Sequence, residues 1–168
     1  MIPNRVVLDT NVCLDLFVFG DARWHLLAAA LQDHSVEAVS RADCRTEWQL
    51  VLAYPCFALT PAQQTACNAR FDAAVRCLPA PAAPAAPAAP ADASLPSPPP
   101  LPRCTDADDQ KFLETARDTG ASALITKDKA LLKLAGKCRR AGMFTILKPE
   151  AWCQSWSAAT ARADTRTG

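Results

Sequence analysis

Short apolar runs alternate along the chain with longer segments in which apolar residues recur at helical spacing. The first run, Val6-Val7-Leu8, is apolar without interruption and is followed by Asp9, a pattern typical of a parallel strand buried on both faces. Three later runs have the same bounded, apolar character. The strands predicted in this way are Arg5–Asp9, Val36–Val39, Ser122–Thr126 and Met143–Leu147.

The segments between these strands carry helix start and stop signals. Pro55 ends one helix, Thr60 and Pro61 begin the next, and Gly120 ends a later one. Strands that alternate with helices predict an α/β domain with a mainly parallel central sheet flanked by helices. The predicted helices are Asn11–Phe17, Ala22–Gln32, Arg41–Tyr54, Pro61–Cys77, Ala107–Thr119, Lys129–Ala135 and one that begins near Trp152.

Composition changes this picture in one place. Of the 14 prolines, 10 fall within residues 79–102, a stretch made almost entirely of Pro and Ala. Such spacing of Pro excludes helix and sheet, so we expect a disordered linker inserted into one domain. We therefore predict a single domain over residues 1–156, interrupted by the insert at 79–102. Residues 157–168 lack large apolar side chains, and we expect a flexible C-terminal tail.

Charge and cysteine content exclude several classes of protein. The formal net charge of +1 rules out a histone-like or strongly acidic chain. No apolar run is long enough to span a bilayer, and the N-terminus does not resemble a signal peptide. We therefore expect a cytoplasmic protein without membrane contact. The 8 cysteines lack metal-site spacing, so we expect reduced thiols.

Acidic residues lie at or near the carboxyl ends of predicted parallel strands, and such ends meet on one side of the sheet. Asp9 ends the first strand and Asp128 follows the third, and ligands of such sheets bind at the carboxyl ends of strands. Asp106 and Asp109 lie at the start of the helix that leads to the third strand, and Glu47 lies in an apolar-rich helix. Carboxylates in one cleft repel each other unless a cation lies between them. An all-oxygen set suits Mg²⁺ or Mn²⁺ and phosphodiester hydrolysis.

Each acid also has a simpler interpretation. Asp9 and Asp128 can each cap the helix that follows. Asp106 or Asp108 can cap the predicted helix over 107–119, because an acid in the first turn is stabilised by the helix dipole. Glu47 can be an exposed residue with no basic partner four positions later. The metal-site hypothesis therefore depends on the joint pattern and not on any one residue.

A basic run follows the third strand. Residues 127–140 contain six positive charges and a single acid. Such a run can contact RNA phosphates, or it can be a solvated helix face. The residues that we assign to RNA binding on this basis are Lys127, Lys129 and Lys133.

Five segments together resemble the PIN-domain nucleases. They are Val7–Asn11, Arg45–Trp48, Thr105–Glu114, Ala123–Leu132 and Ile146–Trp152. The combination is most similar to the VapC-related branch, the toxin components of toxin–antitoxin systems. The long Pro/Ala insert and Lys127 depart from the family pattern, but no expected acid is missing.

The resemblance implies an endoribonuclease, dependent on Mg²⁺ or Mn²⁺, that cuts single-stranded or looped RNA. It further implies a type II toxin with an antitoxin partner, and a homodimer. By position, the catalytic and metal-binding acids would be Asp9, Glu47, Asp109 and Asp128, with Asp106 as a further metal ligand. Thr10, Asn11 and Thr126 would orient these carboxylates through hydrogen bonds.

Two other classes of phosphotransfer domain also place an Asp at the end of a strand, but each needs a further acid that this chain lacks. A dehalogenase-like phosphotransfer domain needs a second Asp two residues after the nucleophile, where this chain has Asn11. A receiver domain needs an acidic pair near the first strand, where Asn4 and Arg5 stand. The remaining alternative is a non-catalytic PIN fold that binds RNA or protein.

Overall fold

The computed structural model describes residues 4–79 and 100–164, and within them five strands form one sheet. Every pairing between neighbouring strands is parallel. The strands are β1 (Asn4–Leu8), β2 (Val36–Arg41), β3 (Val75–Leu78), β4 (Ala123–Ile125) and β5 (Thr145–Leu147). Their spatial order is β3-β2-β1-β4-β5. The predicted α/β class and the parallel sheet are therefore confirmed.

Helices connect the strands and cover both faces of the sheet. A π-helix over Asp15–Phe19 continues the first helix, and 3-10 turns lie at Ala22–Trp24 and Pro55–Phe57. The α-helices of the described residues are α1 (Thr10–Leu14), α2 (His25–Gln32), α3 (Ala42–Leu52), α4 (Pro61–Ala74), α5 (Gln110–Asp118), α6 (Lys129–Leu132), α7 (Ala135–Arg140) and α8 (Pro149–Asp164). None of the described helices combines the length and the apolar character needed to cross a bilayer.

Two hydrophobic cores lie on opposite faces of the sheet because successive strand residues point to opposite sides. In β1, Val6 and Leu8 pack into one core together with Trp48 of α3. Val7 packs into the other core together with Phe112 of α5. The central strand is thus covered on both faces, as its continuous apolar run predicts.

The central strands β1 and β4 are neighbours, although most of the chain separates them in sequence. Leu8 is in register with Ile125, and the backbone amide of Asp9 donates a 3.0 Å hydrogen bond to the Ile125 carbonyl. The residues that follow the two strands therefore emerge side by side. This pairing places Asp9 beside Thr126, the residue that directly follows β4.

The structure corrects the predicted helix over Pro61–Cys77. The helix ends at Ala74, and Val75–Leu78 form β3, which pairs with β2 in the register Ala38↔Val75. Val75 is buried by this pairing. A four-residue edge strand between an Ala-rich helix and a proline leaves little pattern of its own, so the sequence prediction missed it.

Other predicted boundaries also differ from the structure. Residues 107–109 precede α5 in a turn, and the predicted helix over 129–135 ends at Leu132, with Gly136 inside the next helix, α7. The last helix continues to Asp164, because Ala-rich sequence has high helix propensity without large apolar residues. Residues 80–99 of the predicted linker and 165–168 of the predicted tail lie outside the described residues. The domain limits and the flexibility of these segments stay predictions.

Candidate active site

The predicted acids lie at one edge of the sheet, where β1 and β4 end. Asp9 follows β1, Asp128 follows β4, and Asp109 immediately precedes α5. Glu47 lies within α3 and interacts electrostatically with Asp9. Four separate elements thus direct carboxylates toward one region.

Asp9 is the most buried of these acids, with 4% of its surface exposed. It occupies the N-cap position of α1, but its side chain makes no capping hydrogen bond. Its Oδ2 instead accepts hydrogen bonds from Thr126 Oγ1 (2.5 Å) and Asn11 Nδ2 (2.7 Å). Burial raises the pKa of Asp9, and the charge of Glu47 raises it further, against the opposing effect of those hydrogen bonds. The simple capping interpretation therefore does not describe this side chain.

Asp128 does act as a helix cap. Its Oδ1 accepts hydrogen bonds from the backbone amides of Ala130 (2.6 Å) and Leu131 (3.1 Å) at the start of α6. Its own amide donates a 2.9 Å hydrogen bond to Thr126 Oγ1. Among the described residues, Oδ2 of Asp128 accepts no hydrogen bond, so this oxygen is available to a ligand.

Glu47 is half-buried and paired, in contrast to the simple expectation of an exposed, unpaired acid. Its side chain is 27% exposed. Thr10 Oγ1 donates a 2.6 Å hydrogen bond to Oε1, and the ammonium of Lys111 forms an ion pair with Oε2. Both oxygens therefore have partners, which fixes the direction of the carboxylate.

Asp109 is the acid most affected by its neighbours. It lies at the N-cap position of α5 without a side-chain capping bond. Burial, and after it the charges of the neighbouring acids, together raise its pKa to about 6; those acids are Asp9, Asp128, Asp106 and Glu47. This shared influence shows that the acids are close enough to repel one another.

Asp106 is exposed and takes part in a local turn. Its Oδ1 accepts a 3.0 Å hydrogen bond from the backbone amide of Asp108. The turn precedes α5 and does not begin it, so the predicted helix-start role for Asp106 or Asp108 is wrong.

Two charged residues of this region had no predicted role. Lys111 contacts Glu47. The sequence feature that could have pointed to it is its position two residues after Asp109, one of the predicted acids. Asp15 is buried and accepts hydrogen bonds from Trp24 Nε1 (3.0 Å) and Lys127 Nζ (2.6 Å). The sequence feature that could have pointed to Asp15 is its position inside the apolar run of the first helix.

The basic residues fall into two groups. The Lys127 ammonium is paired with Asp15, and its backbone amide donates a 3.2 Å hydrogen bond to Asn11 Oδ1. Lys129 and Lys133 are exposed and form no ion pair within the part of the chain that the structure describes. The same holds for the cations of α7, which are Lys137, Arg139 and Arg140. Lys127 thus has a structural partner, whereas the others present free charge.

Comparison with known protein families gives one match. The PIN domain family matches residues 5–130, which is more than half of the chain and includes all four predicted acids. The chain belongs to the PIN domain family. PIN domains are typically metal-dependent nucleases, so the fold and the coarse class of activity agree with the sequence pattern. No curated protein and no solved structure matches the chain significantly.

PIN domains generally use divalent metals, and the donor chemistry of this site fits such an ion. The four acids supply oxygen ligands only, the type that Mg²⁺ and Mn²⁺ prefer. Among the described residues, no three His, Cys, Asp or Glu side chains are already grouped to hold a metal. Both oxygens of Glu47 and one of Asp128 are engaged by other donors. Within the part of the chain that the structure describes, Oδ2 of Asp128 is free for a metal ion, whereas the oxygens of Glu47 are shared with their present donors.

Proposed function

We propose that this protein is a metal-dependent endoribonuclease that hydrolyses RNA phosphodiester bonds. In this proposal Asp9, Glu47, Asp109 and Asp128 hold Mg²⁺ or Mn²⁺, with Asp106 as a further ligand. The observation that carries the proposal is the convergence of carboxylates on Asp109, whose pKa is raised to about 6 by burial and by four neighbouring acids. Such mutual repulsion is relieved when a divalent cation lies among the acids.

The residues around the acids have separable tasks in this mechanism. Thr126 and Asn11 orient Asp9, and Thr10 orients Glu47, through the hydrogen bonds described above. When bound, a divalent cation lowers the pKa of a water molecule and offsets the charge that develops on the phosphate. The Asp109 carboxylate, like those of Asp9, Glu47 and Asp128, would hold the ion, and the ion would offset the repulsion that raises the pKa of Asp109 in its absence.

RNA binding in this proposal relies on unpaired positive charge beside the acids. Lys129 and Lys133 lie in and just after α6, the helix that Asp128 caps. They have no acidic partner among the described residues, so their charge is available to phosphates. Lys127 can contribute only if its ion pair with Asp15 opens.

The toxin assignment depends on the resemblance of the five sequence segments to the VapC-related branch. We infer a type II toxin of the cytoplasm, neutralised by a cognate antitoxin protein and able to form a homodimer. Expression of the protein alone, and together with any small antitoxin-like protein encoded just upstream of its gene, tests this assignment. Growth arrest that the second protein relieves supports the toxin role, and normal growth with cleavage-competent protein counts against it.

Cleavage of structured and unstructured RNA in Mg²⁺, Mn²⁺ or EDTA tests the nuclease proposal. We expect metal-dependent cutting that Asp9→Asn abolishes. Asp33→Asn is the matched control, because Asp33 is exposed and lies just before β2, at the opposite edge of the sheet. If the folded wild-type protein binds metal and RNA but does not cut, the activity is wrong and a binding module is favoured.

A further inference from the structure

Lys111 lies inside the group of acids and contacts one of them directly. Its ammonium forms an ion pair with Glu47 Oε2, and its side chain is 18% exposed. Within residues 4–79 and 100–164, no other cation forms an ion pair with Asp9, Glu47, Asp109 or Asp128. Lys111 is thus the internal counter-ion of the site.

This contact occupies the carboxylate that the metal would need. Thr10 donates to Oε1 of Glu47 while Lys111 holds Oε2. The neutral hydroxyl of Thr10 leaves a lone pair of Oε1 free for a cation. The Lys111 ammonium, by contrast, places a positive charge beside Oε2. A divalent cation that approaches Glu47 therefore meets both a competitor for Oε2 and a like charge.

Lys111 has other partners that can retain it after release. Its Nζ also donates a 2.7 Å hydrogen bond to the Asp108 carbonyl, and it lies 5.4 Å from the centre of the Phe112 ring. Both partners are on its own segment, so neither depends on Glu47. The ammonium can leave the carboxylate without losing all of its contacts.

We propose that Lys111 is a positioning residue that competes with the divalent metal for Glu47 and is displaced when the metal binds. This inference rests on the proposed metal site. In the metal-free protein Lys111 offsets part of the charge of Glu47, which reduces repulsion among the acids. The same contact lowers the affinity of the site for metal, so Lys111 sets the metal concentration at which the site fills.

Calorimetric titration with Mn²⁺ in the absence of RNA tests this competition. Lys111→Met is expected to bind Mn²⁺ about tenfold more tightly than the wild type, because one positive charge near the ion is removed. Lys111→Arg keeps the charge and is expected to bind as the wild type does. Lys137→Met is the charge-matched control, since Lys137 is exposed on α7 and forms no ion pair with the described residues. It is expected to leave the affinity unchanged.

Two outcomes overturn the inference in distinguishable ways. If Glu47→Gln weakens Mn²⁺ binding but Lys111→Met binds no more tightly than the wild type, the competition is wrong and the metal site stands. If the wild type binds no Mn²⁺, both proposals fail. A second variant, Lys111→Gln, is expected to show the same tightening and guards against misfolding of Lys111→Met. Melting in EDTA and in Mn²⁺ gives an independent readout, since tighter binding enlarges the metal-induced rise in Tm.

Discussion

Thr126 donates a 2.5 Å hydrogen bond from its hydroxyl to Oδ2 of Asp9. The hydroxyl oxygen of Thr126 in turn accepts a 2.9 Å hydrogen bond from the backbone amide of Asp128. One fully buried hydroxyl therefore joins the residues that follow β1 and β4. The relative position of two of the proposed metal ligands depends on this side chain.

Thr126→Val tests that dependence with almost no change in volume. The variant leaves the buried Asp9 carboxylate and the Asp128 amide each without one partner, so we expect a loss of about 1–3 kcal/mol in unfolding free energy. Metal affinity should fall about tenfold, because the hydroxyl orients a proposed ligand. Denaturant unfolding in EDTA and Mn²⁺ titration measure the two effects. Thr126→Ser keeps the hydroxyl and is the control; equal metal affinity of the Val and Ser variants would contradict the prediction.

Asp9→Asn should separate stability from metal binding. Burial and the nearby Glu47 raise the pKa of Asp9, which means that its charged form is disfavoured in the folded protein. The neutral amide removes this repulsion and can still accept from Thr126, so in EDTA at pH 7 we expect Tm to equal or exceed that of the wild type. The rise in Tm on adding Mn²⁺ should disappear. A melting series with and without Mn²⁺ measures both, and a retained metal-induced rise would count against the ligand role of Asp9.

The strands nearest the site could be predicted from sequence because their patterns are local. The Val6-Val7-Leu8 run is buried on both faces, and its position before Asp9 marks a carboxyl end of the sheet. By contrast, β3 is defined by its pairing with β2, and its Val75-Arg76 start follows a helix without a break. An edge strand of this kind depends on tertiary contact more than on its own periodicity.

The same division applies to the site. The positions of Asp9 and Asp128 follow from the ends of adjacent strands, so their proximity could be expected. The ion pair between Glu47 and Lys111 joins two helices that are distant in sequence, and no spacing rule encodes it. Likewise, the sequence left open whether Lys127 binds phosphate or solvent, whereas the fold pairs it with buried Asp15.

The stability of the metal-free protein should depend on pH through Asp109. Its pKa is about 6 in the folded protein and 3.8 ordinarily, so the native state binds more protons between these values. The free energy of unfolding in EDTA should therefore fall as pH rises from about 4 to about 6. Asp109→Asn removes the titrating group and should show a smaller fall over the same window. Denaturant unfolding at several pH values measures this difference; identical profiles for the two proteins would contradict it.

The free charges of Lys129 and Lys133 should appear in the salt dependence of RNA binding. Each phosphate contact to a single strand adds about 0.7 to the slope of log affinity against log salt, so replacing both lysines by Gln should lower the slope by about 1.4. Fluorescence anisotropy with Asp9→Asn as the background and EDTA in the buffer measures binding without cleavage. Arg76→Gln combined with Arg117→Gln removes the same charge from residues paired with Glu37 and Asp118, and should change the slope little. If this control lowers the slope as much as the double lysine variant does, RNA affinity depends on the overall charge of the protein and not on Lys129 and Lys133 beside Asp128.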